Sequence, residues 1–334
     1  MTDDSSGGVD IAVIGAGVSG LSAAYELCKR KHSVLVLERD TRPGGIILTE
    51  RVGEFVIDAG PDSLLVQKPA ALALCNELGL GDRLFPTKLP RTAFVLRNGE
   101  LHPLPAASIL GFPTRLGPLV KSTLFRTPAK FRMAAEVMIP RARPGGDESI
   151  AGFVRRRFGL EAVTYIAEPL LAGIHAGDVE RLSMRALFPR LIDAEARAGS
   201  VIRAFRREQG PLNADGVFRS FPNGLAELID GLMKAVPKES VRFGSNVTRI
   251  EERDGFIVHI TGQAPVRARA VILAIPAFAA ADLLRPIDPA LSDACSSIRY
   301  LSTATVVLAF PRSAVGHDLQ GTGFVVPSAE GLSI

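Results

Sequence analysis

Three glycines near the start of the chain are spaced to hold a phosphate group. Gly15, Gly17 and Gly20 follow an apolar run, residues 9–14, and precede a helical pattern. Gly15 permits a tight turn, Gly17 lets the backbone approach a pyrophosphate, and Gly20 lets the helix pack closely on the strand. The helix N-terminus adds free N–H groups and the positive end of a helix dipole. The spacing therefore predicts a dinucleotide site rather than a glycine turn without a ligand.

An acidic residue and a second pair of glycines extend the pattern. A second apolar run, residues 33–37, ends in Glu38, which is placed to accept hydrogen bonds from ribose hydroxyl groups. Gly44 and Gly45 follow within one short loop, where they let a further stretch of backbone lie against a cofactor. An acid, a short spacer and two glycines resemble the motif of amine-oxidase-like flavoproteins, which favours FAD over NAD. Ile46 departs from that motif, because many family members have Arg there.

The composition of the chain excludes several classes of function. The 334 residues are 47% hydrophobic and 22% charged with a net charge of +4, which is typical of a globular protein and gives no argument for nucleic-acid binding. Cys28, Cys75 and Cys295 lie far apart, so we expect free thiols in helices, a reducing compartment and no metal site. Residues 1–8 lack the features of a signal peptide, and no apolar run is long enough to span a bilayer. A cytoplasmic protein is therefore expected.

Strands and helices alternate in a way that can position these motifs. We predict strands at residues 9–14, 33–37, 93–96, 101–104, 241–243, 247–250, 256–260 and 270–274, and a strand that ends in a turn over residues 55–61. We predict helices at residues 21–31, 68–78, 148–158 and 160–171, and a strand-to-helix transition over 218–236. The predicted strands after residue 240 would complete the sheet of a nucleotide-binding domain whose sequence is split into two parts.

The most specific stretch of the chain runs from Glu168 to Asp178. Its sequence, EPLLAGIHAGD, resembles the signature of bacterial protoporphyrinogen and coproporphyrinogen oxidases, which are flavin enzymes of haem synthesis. Further matches cover essentially the whole chain, at residues 59–63, 78–80, 99–105, 224–228 and 323–327. The resemblance implies that FAD removes six electrons from a porphyrinogen and that O₂ is the acceptor. No side chain accepts a hydride, so no catalytic residue is assigned.

The resemblance also implies which residues bind the cofactor and the substrate. The predicted FAD contacts are Gly15, Gly17, Val18, Ser19, Gly20, Glu38, Arg39, Gly44, Gly45, Gly60, Pro61 and Val247. The predicted substrate contacts are Gly173, Ile174, His175, Ala176, Gly323 and Val325. His175 stands where many relatives have Tyr or Phe, and we interpret it as a cavity wall, with proton transfer as the alternative. Asp178 is interpreted as a residue that fixes a turn.

The family's architecture predicts an α/β fold with several parts. It consists of a Rossmann-like FAD-binding domain that is split in sequence, a mixed-sheet substrate domain and a helical membrane-binding insertion. We assign the FAD domain to residues 1–85 and 216–285, a hairpin with the helical region to 86–165, a substrate-cavity segment to 166–215 and an incomplete substrate domain to 286–334. These boundaries follow the shifts in pattern along the chain.

The segment between Leu101 and Gly146 combines recurring basic residues with apolar residues at helical spacing. Such segments can lie in a membrane interface, and the alternative is a solvated helical hairpin. Because the family's membrane-binding region belongs here, we favour peripheral contact with the inner face of the cell membrane. A homodimer is left open.

Two further predictions concern the choice of substrate and the length of the chain. Several relatives carry an Arg that is thought to hold a propionate, but the corresponding position here is Ala93, and Arg91 cannot be equated with it. We expect both porphyrinogens to be oxidised, with coproporphyrinogen III preferred over protoporphyrinogen IX, because the segment resembles Gram-positive-type sequences. Family members continue well beyond Ile334, so we interpret the chain as C-terminally truncated. The rival hypotheses are another flavoenzyme, such as an amine oxidase or carotenoid desaturase, and a non-catalytic FAD-binding fragment.

Overall fold

The structure is a computed structural model that describes residues 8–105, 108–109, 111–113, 116–142, 145–173, 177–207 and 216–332. The chain forms two compact units. The first unit comprises residues 1–87 and 217–308, and the second comprises 88–216 and 309–334. Each unit is therefore built from two separate stretches of sequence.

The strands and helices have the following bounds. The strands are β1 Val9–Ile14, β2 Val34–Leu37, β3 Thr49–Val52, β4 Phe55–Asp58, β5 Leu64–Leu65, β6 Phe85–Pro86, β7 Ala93–Arg97, β8 Glu100–Pro103, β9 Ser108–Ile109, β10 Phe112–Pro113, β11 Phe218–Ser220, β12 Val241–Arg242, β13 Val247–Glu252, β14 Phe256–Ile260, β15 Val266–Leu273 and β16 Gly323–Val325. The helices are α1 Val18–Lys29, α2 Pro69–Glu77, α3 Leu116–Lys121, α4 Thr127–Ala134, α5 Ile150–Phe158, α6 Leu160–Ala162, α7 Met184–Leu187, α8 Pro189–Ala198, α9 Val201–Arg207, α10 Ala226–Ala235, α11 Ala277–Leu284 and α12 Pro289–Ser296. A π-helical segment spans Val163–Ala172.

A six-stranded sheet forms the centre of the first unit, in the order β12-β2-β1-β15-β14-β13. The first four strands are parallel and the last two pairings are antiparallel. Alternate residues of β1 serve the two faces: Val13 packs with α1 and α10, whereas Ala12 and Ile14 pack on the opposite face. Both faces are buried, which explains why β1 and β2 are almost continuously apolar in sequence.

The second unit joins a small sheet to a helical cluster. Its three-stranded sheet has the order β16-β7-β8, with β16 parallel to β7 and β8 antiparallel to it. The predicted hairpin is confirmed: Asn98 and Gly99 connect β7 to β8 with φ of +53° and +77°, the conformation that an Asn-Gly hairpin turn requires. The helices pack around a core that includes Met133, Phe153 and Phe158.

A buried charge network joins four parts of this helical cluster. Arg157 of α5 is fully buried and forms an ion pair with the fully buried Glu136. Glu136 also accepts hydrogen bonds from the hydroxyl of Ser200 and from the N–H of Val201, at the start of α9. The neighbouring Arg156 pairs with Glu195 of α8 at 2.7 Å. The arginines of α5 therefore connect helices that are distant in sequence.

The helical prediction for residues 160–171 is confirmed in extent, but the winding differs. One α-helical turn, α6, passes directly into the π-helical segment Val163–Ala172. Pro169 lies inside that segment and has no N–H to donate, so the hydrogen-bond ladder is interrupted there. None of the helices in the described ranges combines the length and the apolar composition needed to cross a bilayer.

Candidate functional site

The loop between β1 and α1 is shaped by two glycines whose Cβ atoms would meet backbone. Gly15 has φ of +103°, and a Cβ there would lie 2.7 Å from the carbonyl oxygen of Ala274. A Cβ on Gly20 would lie 1.9 Å from the carbonyl oxygen of Gly15. The N–H of Gly15 donates to Leu37 at the end of β2. These contacts hold the turn tightly against the carboxyl ends of three neighbouring strands.

Gly17 lies in a different environment, because a Cβ placed on it would have no atom within 4 Å. It precedes the first residue of α1, and no side chain in the described part of the protein caps this helix end. Val18 and Ser19 form the first turn. The helix N-terminus therefore offers N–H groups and an open space of the kind that a pyrophosphate occupies.

The second glycine pair lies directly beside this space. Gly17 and Gly44 form an isolated parallel bridge, and the N–H of Gly44 donates to the carbonyl of Ala16 at 2.8 Å. A Cβ on Gly45 would lie 3.4 Å from the Cα of Gly17. The structure thus brings the two predicted glycine motifs together into one backbone-lined groove.

Sequence reasoning missed the residue that shapes the second loop. The guanidinium of Arg42 donates to the carbonyl of Gly45 at 2.7 Å and to that of Pro43 at 3.1 Å. Ile46, where many relatives have Arg, is 79% exposed. The signal available in the sequence was the arginine immediately before the Pro-Gly-Gly turn.

Glu38 lies beside the glycine loop and is hydrogen-bonded to its backbone. One carboxylate oxygen accepts the N–H of Ala16 at 2.7 Å, and the other accepts the N–H of Asp40 at 2.9 Å. Each oxygen retains a further lone pair, so the carboxylate can still accept hydroxyl groups. The predicted ribose contact is compatible with this geometry, and the link to Ala16 was not foreseen.

The other predicted FAD contacts lie around this loop in the first unit. A Cβ on Gly60 would lie 2.1 Å from the carbonyl oxygen of Ile46, so the turn containing Pro61 packs tightly on the second loop. Arg39 is exposed and pairs with Asp40 at 3.5 Å. Val247 opens β13, two residues after Ser245, whose N–H donates to the carbonyl of Glu38. Their role in binding stays a prediction.

A carboxylate and a hydroxyl anchor the start of α10 near the same loops. Asp58 accepts the hydroxyl of Thr49 at 2.5 Å and the N–H of Leu225 at 2.9 Å. Thr49 accepts the N–H of Ala226, the first residue of α10. Gly224 is confined between these groups, since a Cβ there would lie 2.2 Å from Thr49. The hairpin β3–β4 is fixed to α10 in this way.

The predicted substrate contacts that the structure describes all belong to the second unit. Gly173 follows the π-helical segment, is exposed, and would bring an added Cβ no closer than 3.6 Å to another atom. Gly323 and Val325 are the ends of β16; Gly323 has φ of +141°, and Val325 packs on the helical core. Ile174, His175 and Ala176 lie outside the described residues.

The structural interpretation of Asp178 is confirmed. Its carboxylate accepts the N–H of Glu180 at 2.9 Å, and its carbonyl accepts the N–H groups of Arg181 and Leu182. This compact turn explains the neighbouring glycine, because a Cβ on Gly177 would lie 2.8 Å from the side chain of Leu182.

Two of the three cysteines, Cys28 and Cys75, are not activated as nucleophiles. Cys75 is buried in α2 and Cys28 is half-buried in α1. Burial raises the pKa of both thiols, so they remain protonated at neutral pH. Among the described residues, no three His, Cys, Asp or Glu side chains are grouped so that they could hold a metal ion.

The sequence profile of the flavin-containing amine oxidoreductases matches residues 18–333. The chain belongs to this family. Its fold is therefore that of a flavin amine-oxidase-like α/β protein with mixed sheets, and FAD is the cofactor. The groove between Gly17 and Gly45 fits such a cofactor, because it is lined by backbone and is open at the N-terminus of α1.

Curated relatives within the family match almost all of this chain. Coproporphyrinogen III oxidase of Bacillus subtilis is 32% identical, over 96% of this chain and 71% of that protein. Coproporphyrinogen III oxidase of Propionibacterium freudenreichii is 34% identical, over 93% and 66% respectively. Chloroplastic protoporphyrinogen oxidase of Oryza sativa is 32% identical, over 97% and 64%. The chain therefore spans between 64% and 71% of the length of these relatives.

Solved structures agree with this family assignment. A crystal structure from Exiguobacterium, assigned provisionally as a protoporphyrinogen oxidase, has a TM-score of 0.74 and 31% identity, over 85% of this chain and 63% of that one. Cyclohexylamine oxidase of Brevibacterium oxydans has a TM-score of 0.60 and 19% identity, over 87% of this chain and 63% of its own. The latter likeness concerns the fold alone.

Proposed function

We propose that the protein containing this chain oxidises a porphyrinogen to the porphyrin in haem biosynthesis, with FAD as cofactor. The observation that carries the proposal is the similarity to coproporphyrinogen III oxidases over 96% of this chain. This similarity includes the stretch from Glu168 to Asp178, which an amine oxidase or a carotenoid desaturase would not explain. Because the chain spans part of the relatives' length, the proposal concerns the full-length protein.

The residues of this chain would bind and orient the reactants rather than react themselves. Bound FAD would supply the hydride acceptor that no amino-acid side chain provides. Val18 and Ser19 would present their N–H groups to the pyrophosphate, and Glu38 would accept the ribose hydroxyl groups. Gly17 would leave room for the pyrophosphate, because a Cβ there would have no atom within 4 Å. O₂ is the proposed final acceptor.

On the substrate side we propose contacts from Gly173, Gly323 and Val325, together with Ile174, His175 and Ala176. Ala93 starts β7 and is half-buried, where several relatives are thought to present a propionate-binding Arg. We propose that coproporphyrinogen III is nevertheless the preferred substrate, on the strength of the curated relatives with that name.

The test is a direct comparison of substrates with the full-length protein. Porphyrin fluorescence would measure turnover of coproporphyrinogen III and protoporphyrinogen IX under air, with oxygen uptake recorded in parallel. A higher kcat/KM for coproporphyrinogen III supports the proposal. Equal or higher turnover of protoporphyrinogen IX refutes the preference. Turnover of putrescine or of a polyene, without any porphyrinogen oxidation, would refute the proposed function and favour a sister flavoenzyme.

We also propose domain roles that follow the two compact units. The first unit would carry the FAD-binding parts, assigned to residues 1–85 and 216–285, and the second would carry the hairpin, the helical region and the substrate-cavity segment. The sequence boundaries at 85/86 and 215/216 lie within two residues of the changes between units at 87/88 and 216/217. A homodimer stays a prediction.

Peripheral membrane contact is proposed for the helical region of the second unit. Residues 88–216 hold twenty Lys and Arg and twelve Asp and Glu, so this stretch carries a net charge of +8. The strongly exposed apolar side chains on its helices include Val120 at 67% and Phe131 at 72%. Lys130 lies beside them, and its amine donates to the carbonyl of Val120. Exposed apolar side chains with adjacent cations favour an anionic lipid surface over a simply solvated hairpin.

A further inference from the structure

The π-helical segment Val163–Ala172 makes contacts beyond its own helix in the second unit. The guanidinium of Arg97, at the end of β7, stacks over the ring of Tyr165 at 4.5 Å from the centroid. A Cβ on Gly111 would lie 2.7 Å from Ile166, so the backbone of that turn lies directly on the segment. π-Helical turns are rare and occur often at functional sites. This segment leads directly to Gly173, the first predicted substrate contact.

Among the contacts that the structure describes, Glu168 is the one residue of this segment with a polar contact to the chain that follows β16. Its Oε1 accepts the N–H of Ser328 at 2.9 Å, across 160 residues of sequence. A carboxylate that accepts a backbone N–H makes a charge-assisted hydrogen bond, which is stronger than a neutral one. The side chain of Glu168 is half-buried, but Ser328 is exposed, so this bond lies at the surface, where water weakens it.

The chain from Gly323 to Glu330 is held at two further points. β16 pairs with β7, with Gly323 opposite Ala93 and Val325 opposite Val95. At the other end, the carboxylate of Glu330 accepts the N–H groups of Asn98 at 3.0 Å and Gly99 at 3.4 Å. These two attachments fix the strand to the hairpin β7–β8, but neither reaches the π-helical segment. Glu168 supplies that third attachment.

We propose that Glu168 is a positioning residue for substrate binding. Through Ser328, its carboxylate fixes the segment after β16 relative to the π-helical segment Val163–Ala172, which leads to Gly173. It thereby sets the separation between Gly173 and β16, the two described stretches that carry predicted substrate contacts. This inference rests on the proposed function, because it takes those stretches as walls of the porphyrinogen cavity.

The test uses the full-length protein with three variants. Glu168→Ala removes the acceptor, Glu168→Gln keeps an oxygen that can accept the same N–H, and Glu180→Ala removes an exposed carboxylate that pairs with Arg155 on the surface of the same unit. We expect Glu168→Ala to raise the KM for coproporphyrinogen III about fivefold while kcat stays within about twofold. Glu168→Gln should restore most of the affinity, and Glu180→Ala should match the native protein. Flavin content, measured by absorbance, should be the same in all four.

Amide hydrogen exchange at Ser328 separates positioning from general stability. We expect faster exchange there in Glu168→Ala, with unchanged exchange at Gly152 in α5. An unchanged KM together with faster exchange would overturn the proposal, as would an equal rise in KM in Glu180→Ala. If the native protein oxidises no porphyrinogen, the proposed function fails separately. Binding of coproporphyrin III, followed by fluorescence quenching, then decides: equal Kd values for native and Glu168→Ala protein overturn the positioning role, and a weaker Kd in the variant supports it.

Discussion

At the scale of single residues, the glycines of the cofactor loop perform different tasks. Gly15 and Gly20 are required by the protein itself, because a Cβ on either would meet backbone oxygen. Gly17 is not, since its surroundings are open and its φ of −69° suits any residue. The space beside Gly17 is therefore the part of the loop that serves a ligand.

This difference predicts opposite outcomes for two alanine substitutions. Gly17→Ala should leave the free energy of unfolding within about 1 kcal/mol of the native value, because its Cβ meets nothing. The same change should weaken FAD binding by about tenfold or more, because the methyl group occupies the pyrophosphate space. Denaturant unfolding of the apoprotein and flavin titration would measure the two quantities.

Gly20→Ala is the matched control for this experiment. Its Cβ would lie 1.9 Å from the carbonyl oxygen of Gly15, so helix and strand must separate. We expect it to destabilise the protein by about 3 kcal/mol or more, with loss of flavin as a consequence. Normal FAD affinity in Gly17→Ala would contradict the assignment of the groove.

At the scale of elements, the strand and helix that flank the cofactor loop could be predicted closely from sequence, whereas β3, α11 and α12 of the same unit were not predicted. The strand at Val9–Ile14 has the predicted bounds, and α1 begins three residues earlier than its pattern indicated. The Asn98-Gly99 turn of the second unit could also be predicted, because Asn followed by Gly is the pair that most readily adopts positive φ at two consecutive residues. The periodicity of apolar residues indicates whether a segment is a helix or a strand and which of its faces is buried, and both properties depend on neighbouring residues alone.

Contacts between distant segments could not be predicted in this way. Glu168 and Ser328 are separated by 160 residues, and no sequence motif indicates that the two residues are in contact. The same is true of Asp58 and Leu225, which meet only because β4 and α10 pack together. π-Helical winding was also missed, because its composition is that of an ordinary apolar helix. Tertiary packing determines these contacts and this winding, so only the structure reveals them.

The ion pair between α5 and α8 predicts how the second unit responds to acid. Burial alone would raise the pKa of Glu195, but the hydrogen bonds from Arg156 and from the N–H of Ala142 outweigh it and hold the pKa below its ordinary value of 4.5. A carboxyl whose folded pKa is lowered stabilises the fold above its unfolded pKa and loses that effect as the pH falls through the folded pKa. Stability should therefore decline below about pH 4.5.

Glu195→Gln tests this dependence. At pH 7 we expect the variant to be about 1–3 kcal/mol less stable than the native protein, because Arg156 and the fully buried Arg157 lose a charged partner. The difference should shrink as the pH falls below about 4.5, because the unfolded chain then takes up a proton that native Glu195 resists. Thermal unfolding across pH 3–7 measures it. Glu180→Gln, on an exposed pair, should change stability by less than about 0.5 kcal/mol at every pH, and a pH-independent difference for Glu195→Gln would contradict the assignment.

At the scale of the whole molecule, charge is distributed unevenly along the chain. The whole chain has a net charge of +4, whereas residues 88–216 alone carry +8, so the remaining residues are net acidic. Residues 88–216 are therefore the part of the chain that an anionic surface attracts, whereas the remainder carries the opposite net charge. Electrostatic attraction alone would be weakened by salt, while the exposed apolar side chains of the helical region would add a contribution that salt does not remove.

These two contributions can be separated on lipid vesicles with the full-length protein. We expect binding to vesicles that contain anionic lipid, weaker binding as salt is raised, and little binding to neutral vesicles. Phe131→Ser should reduce the affinity about tenfold, because a side chain that is 72% exposed would otherwise be buried in the interface. Leu291→Ser, which removes an apolar side chain 47% exposed on α12 of the first unit, is the matched control and should leave binding unchanged. Equal losses in the two variants would mean that general surface hydrophobicity, rather than the helical region, governs membrane contact, and equal binding to neutral vesicles would remove the role assigned to the basic charge.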